Sequence, residues 1–91
     1  MTKEELLKTS DDTILIVDIR EEEELVTSPS IPGAVHIPMG KIIREAEDGR
    51  LPHDKKIVTV CRSGGRCQMV NHELRELGYD VDWLEGGMMS W

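Results

Sequence analysis

Two short aliphatic runs constrain this chain more than any other feature: Ile14-Leu15-Ile16-Val17 and Ile57-Val58-Thr59-Val60. Each is continuous, rich in β-branched residues and too short for a helix, so each reads as a buried strand. Between and around them lie segments with helical signals. Thr2 with Glu5 three positions later forms a capping box before Leu6 and Leu7, which predicts a short helix to about Thr9. Glu21, Glu22, Glu23 and Glu24 lead into Leu25 and Val26 as a second short helix, its acidic start suited to the helix dipole and its charge run read as a solvated face. Ile42, Ile43 and Ala46 share one helical face before Asp48-Gly49 breaks the pattern. Cys67, Val70, Leu74 and Leu77 fall at i, i+3, i+7 and i+10, one stripe of an amphipathic helix that starts near Arg66 and stops at Gly78.

The remaining punctuation fits the same plan. Ser10-Asp11-Asp12 reads as a turn, residues 28–33 with two prolines and a glycine as an ordered loop, and residues 34–37 as a short strand closed by Pro38. Leu51-Pro52-His53-Asp54 returns the chain to the sheet, residues 81–84 form a last strand, and Glu85-Gly86-Gly87 is a loop before an unassigned tail, residues 88–91. Strands alternating with helices predict an α/β domain with a mainly parallel β-sheet. At 91 residues the expectation is a single domain, 1–91.

The charge balance narrows the function. With 18 acidic against 11 basic residues and a formal net charge of -7, the chain is a poor general binder of nucleic-acid backbones, so no nucleic-acid partner is expected. No stretch approaches the roughly 20 apolar residues of a membrane span, and no membrane partner is expected. The N-terminus has no apolar run of signal-peptide length, which predicts a cytoplasmic location. Cys61 and Cys67, six positions apart, do not make the dense disulfide framework of a small secreted domain, and point to local thiol chemistry.

Cys61 stands where a strand ends and a glycine-bearing turn leads into a helix, the sheet edge at which open α/β folds place ligands. If the segment Arg62-Ser63-Gly64-Gly65-Arg66 curls around the sulfur, using positive φ at Gly64 and Gly65, its backbone N–H groups converge there. The dipole of the following helix and the charges of Arg62 and Arg66 add to the same potential, so Cys61 is expected to be a reactive thiolate. The same cradle suits small tetrahedral anions such as thiosulfate, phosphate or arsenate. The plainer reading of Cys61 as a small buried thiol leaves the paired glycines and arginines unexplained.

Four segments in order resemble the signatures of rhodanese-like domains: Asp18-Ile19-Arg20, residues 31–38 (Ile-Pro-Gly-Ala-Val-His-Ile-Pro), Cys61-Arg62-Ser63-Gly64-Gly65-Arg66, and Glu85-Gly86-Gly87 with Trp91. The resemblance spans nearly the whole chain. It implies a rhodanese-like fold with helices flanking both faces of the sheet. It also implies a sulfurtransferase in which Cys61 takes sulfane sulfur from a donor such as thiosulfate, becomes a persulfide, and yields the sulfur to a thiol or a sulfur-acceptor protein. Neither a metal nor an organic cofactor is expected. Members acting on sulfur share the six-residue loop seen here, whereas the phosphatases of the fold need histidine at position 60 and arginine at position 67, where this chain has Val60 and Cys67.

Other residues carry weaker expectations. Asp18 and Arg20 are read as a brace near the site rather than as substrate contacts. Arg66 is favoured over Arg62 as the attractant for an anionic donor. His36 is read as a hydrogen-bonded structural histidine, and His53 and His72 as exposed. Cys67 is either a core residue of its helix or a thiol that resolves an oxidised Cys61, with packing preferred. Met88, Met89 and Trp91 are expected to pack on the core. The family pattern continues past this tryptophan, so some core surface is expected to remain uncovered. Two other functions stay open from the sequence: a noncatalytic persulfide carrier or recruitment module, docking a basic partner on residues 21–24, and an arsenate reductase or phosphatase of the same fold.

Overall fold

The computed structural model describes residues 1–10 and 12–91; Asp11 of the expected turn lies outside the described residues. The elements run α1 (Lys3–Lys8), β1 (Ile14–Asp18), α2 (Glu22–Thr27), β2 (Val35–His36), α3 (Met39–Glu47), β3 (Lys56–Val60), α4 (Gly65–Glu76), β4 (Val81–Trp83) and a 3-10 turn (Gly87–Ser90). The capping box of α1 forms as read, with the Glu5 N–H donating to Thr2 Oγ1 and the Thr2 N–H donating to the Glu5 carboxylate.

The sheet has four strands in the order β2-β1-β3-β4, and every pairing is parallel. Its two aliphatic runs pair centrally, Leu15 with Ile57 and Asp18 with Val60. The alternation along β3 explains why both strands are apolar throughout. Ile57 and Cys61 belong to a core with Ile42 and Ala46 of α3 and Cys67, Val70 and Leu74 of α4. Val58 and Val60 belong to a second core with Leu6 of α1, Ile31, Leu84, Met88 and Trp91. A strand covered on both faces needs apolar side chains at odd and even positions alike. Among the described residues no helix is long and apolar enough to cross a membrane.

Four expectations need correction, one of them that Met89 packs on the core with Met88 and Trp91, since its side chain stands 69% exposed. The strand at residues 34–37 shrinks to Val35–His36 at the sheet edge, because Ala34 is tied into a turn by its N–H to the Ile31 carbonyl. The last strand ends at Trp83 rather than Leu84, although the Leu84 N–H still reaches the Thr59 carbonyl at 3.1 Å. Leu77 does not complete the buried stripe of α4. It is 39% exposed, because it caps the helix and the chain turns away at Gly78, whose φ is +90°.

Strand order fixes where a site can form. From β1 the chain crosses to β2 on one side, then returns to β3 on the other, so loops leaving β1 and β3 diverge and open a crevice at their carboxyl ends. The Ile19 N–H donates to the Val60 carbonyl at 2.9 Å, which delivers Arg20 and Cys61 to that crevice side by side.

Candidate active site

Cys61 follows directly on the last residue of β3, and α4 begins four residues later. Gly64 makes the bend with φ +112°, and a side chain there would press on the Trp83 indole at 3.3 Å. The expectation of positive φ at both glycines holds only for Gly64, because Gly65 is already the first residue of α4. The Gly64 N–H donates to Cys61 Sγ at 3.0 Å.

The Cys67 side chain, followed by the N–H groups of Cys67, Gly64 and Ser63, draws the Cys61 thiol down to about 5, against burial, which acts to raise it. The amides that face the sulfur are thus those of residues 63, 64 and 67. Cys67 itself is fully buried on the α4 stripe, and the facing Cys61 sulfur together with burial pushes its thiol well above the usual range. The pair divides into one thiolate and one persistent thiol, which is inert as a nucleophile. Iodoacetamide alkylation of Cys61 should therefore be nearly pH-independent above about 6 and half-maximal near pH 5, falling about tenfold per unit below that. A midpoint near that of a free thiol, about 8.5, would contradict the assignment.

Asp18 and Arg20 form a buried ion pair, 2.9 Å between Arg20 Nη2 and Asp18 Oδ2, with both side chains almost wholly excluded from solvent. Ser30 Oγ donates to the same carboxylate oxygen at 2.6 Å, and Arg20 Nη2 donates to the Ser28 carbonyl at 2.8 Å. Every one of these contacts is internal, so the pair staples the loop of residues 28–33 to the end of β1. His36 Nε2 lies 2.7 Å from the Arg20 carbonyl, a structural contact.

The two loop arginines differ. Arg66 is held by Glu24 in a two-pronged bridge, Nη1 to Oε2 at 2.7 Å and Nη2 to Oε1 at 2.8 Å. The Arg66 bridge pulls the Glu24 carboxyl down to about 2. Glu24 is therefore part of the site rather than of a solvated face, and the Arg66 charge is already compensated. Arg62 is exposed, and among the described residues it has no ion-pair partner. It borders a cleft of about 250 Å³ whose walls include Arg20, Glu24, Ser28, Met88 and Met89. A larger apolar groove of about 520 Å³, between Met39 and Ile43 of α3 and Met69 and Val70 of α4, contains neither Cys61 nor the ion pairs. Among the described residues no three His, Cys, Asp or Glu side chains converge as metal ligands would.

Sequence reasoning missed Ser28, Ser30 and Glu24. The Glu24–Arg66 contact spans 42 positions and has no local signature. Ser30 gives a faint one, a hydroxyl in a proline-rich loop beside an Asp-x-Arg pair.

Comparison with known proteins agrees with the fold. A model of the rhodanese-like domain matches residues 2–91. The chain is 44% identical over 82 residues to the Bacillus subtilis (strain 168) protein named "Putative sulfurtransferase YtwF", covering 90% of this chain and 77% of that one. It is 35% identical over 83 residues to "Putative sulfur carrier protein YrkF" of the same organism, covering 90% of this chain but 43% of that longer protein. Among solved structures, a rhodanese-related protein from Thermoplasma volcanium superimposes with a TM-score of 0.84 at 30% identity, over 100% of this chain and 87% of that one.

Proposed function

The chain belongs to the rhodanese-like domain family, and on that premise we propose that its 1–91 domain is a cytoplasmic sulfurtransferase in which Cys61 carries sulfane sulfur as a persulfide. The observation that carries this reading is the Cys61 sulfur set among backbone N–H groups, with the Gly64 amide 3.0 Å away. The Cys61 thiolate attacks the outer sulfur of thiosulfate. A new S–S bond forms, the old one breaks, and its electron pair leaves on sulfite. The loop amides stabilise the resulting persulfide anion. A second nucleophile, cyanide in the assay or a thiol of an acceptor protein in the cell, then takes the outer sulfur and returns Cys61 as thiolate. No net oxidant is needed, and neither metal nor organic cofactor takes part. Cys61 is only 1% exposed, which suits a small donor.

Reduced protein incubated with thiosulfate and freed of excess reagent should gain one sulfur atom, mapped to the Cys61 peptide and released by cyanide as thiocyanate. An unmodified mass with Cys61 still alkylatable would reject thiosulfate as donor. Arg62 is a cation at the cleft with no ion-pair partner among the described residues, so Arg62→Ala should raise KM for thiosulfate by about three- to tenfold with little change in kcat or unfolding midpoint. An unchanged KM would remove Arg62 from donor binding.

A further inference from the structure

We propose that the turn at residues 86–89 aims the amides of the cysteine loop at the Cys61 sulfur, with Gly87 as the positioning residue of that device. The inference deepens the reading of Cys61 as nucleophile and rests on it. The Met88 N–H donates to the Cys61 carbonyl at 2.9 Å, and the Met89 N–H donates to the Arg62 carbonyl at 3.0 Å. In a trans peptide, the carbonyl of one residue and the N–H of the next point in opposite directions. Holding these two carbonyls against the turn therefore directs the N–H groups of Arg62 and Ser63 away from it. The Ser63 amide is one of those that face the sulfur. Were the Arg62–Ser63 peptide to rotate, its carbonyl dipole would replace the Ser63 amide beside the thiolate and act against its charge.

Gly87 is what allows the turn to lie so close. Its φ is +57°, and a Cβ there would collide with the carbonyl oxygens of both Cys61 and Arg62. The turn has little room to yield, because Met88 and Trp91 pack into the second core and the Glu85 N–H donates to the Met1 carbonyl at 2.8 Å. An added methyl must then move the loop, the part of the pair that lies under the sulfur.

The test compares Gly87→Ala with Gly78→Ala. Gly78 also has positive φ, but a Cβ there meets nothing within 4 Å, so this variant carries the backbone strain without pressing on the loop. In iodoacetamide pH profiles, Gly87→Ala should move the alkylation midpoint up by about one unit or more, a roughly fivefold loss of thiolate at pH 5, while Gly78→Ala keeps the wild-type profile. A folded Gly87→Ala protein with the wild-type midpoint would overturn the proposal. Amide hydrogen exchange on the unmodified protein gives a second reading should Gly87→Ala not fold. The Met88 and Met89 amides should exchange at least about tenfold slower than in an unstructured chain, and exchange at the unstructured rate would equally overturn it. Failure of the sulfur-transfer reading looks different: no sulfur on Cys61, with both readouts as expected.

Discussion

Cys61→Ser is expected to abolish sulfur uptake, lowering turnover with thiosulfate by at least about 10³-fold while leaving the fold intact. The size of the effect follows from what the surrounding groups can do. They draw a thiol down to about 5, so at neutral pH nearly every molecule holds a thiolate ready to attack. A serine hydroxyl ionises too weakly for the same amides to make it a nucleophile, and oxygen forms no persulfide. Cys67 offers no substitute route, because it is fully buried on the α4 stripe and burial still acts to hold it as a thiol once the Cys61 sulfur is gone. Cys67→Ser should accordingly still load one sulfur. Intact mass with peptide mapping decides the matter, with circular dichroism to check folding. Sulfur found on Cys67 in the Cys61→Ser protein would mean that the assignment of the nucleophile is wrong.

How much of this was legible in the sequence depended on the range of the interaction. Strands β1 and β3, the capping box of α1 and the bend at Gly64 are set by residues adjacent in the chain, and periodicity and turn chemistry reveal them. The cysteine loop is also local, since strand end, glycine and helix start fall within a few residues. What was not legible is long-range pairing of polar groups. Glu24 reads as one glutamate among four, and only the fold brings it to Arg66. That contact reverses the expected ranking of the two arginines, leaving Arg62 as the one without an ion-pair partner among the described residues. The Gly86-Gly87 pair was visible as a motif, but its purpose was not, because the carbonyls it must clear belong to residues about 25 positions earlier. Leu77 marks the opposite limit: periodicity placed it on the core stripe, and the helix end took it off.

Asp18→Ala is the substitution expected to cost most in stability, about 3–5 kcal/mol. It would leave the Arg20 guanidinium, whose side chain is only 3% exposed, with the Ser28 carbonyl but no counter-charge, and would strand the Ser30 hydroxyl. A chain of this length holds roughly 5–14 kcal/mol in total, so the loss is a large share of it and should lower the unfolding midpoint by roughly 12 °C or more. The penalty belongs to the unpaired charge, so replacing both partners by apolar residues, Asp18→Leu with Arg20→Met, should recover much of it. The pair also shapes the acid limit. Burial acts to raise the Asp18 carboxyl, but the Arg20 and Ser30 hydrogen bonds outweigh it and leave its value lowered from 3.8. The unfolded chain therefore binds the proton first on acidification. The stabilisation is complete above about 4 and is lost as pH falls through the lower folded value. Glu24, drawn from 4.5 to about 2 by Arg66, adds a loss of the same sign between those two values. Urea unfolding across that range should show wild-type stability falling with pH, and Asp18→Ala falling less steeply from a lower start. If the pair is a brace, folded Asp18→Ala protein keeps the Cys61 alkylation midpoint near 5, and activity drops only with the folded fraction. Wild-type stability with sulfur transfer lost would instead place Asp18 in contact with the reacting groups.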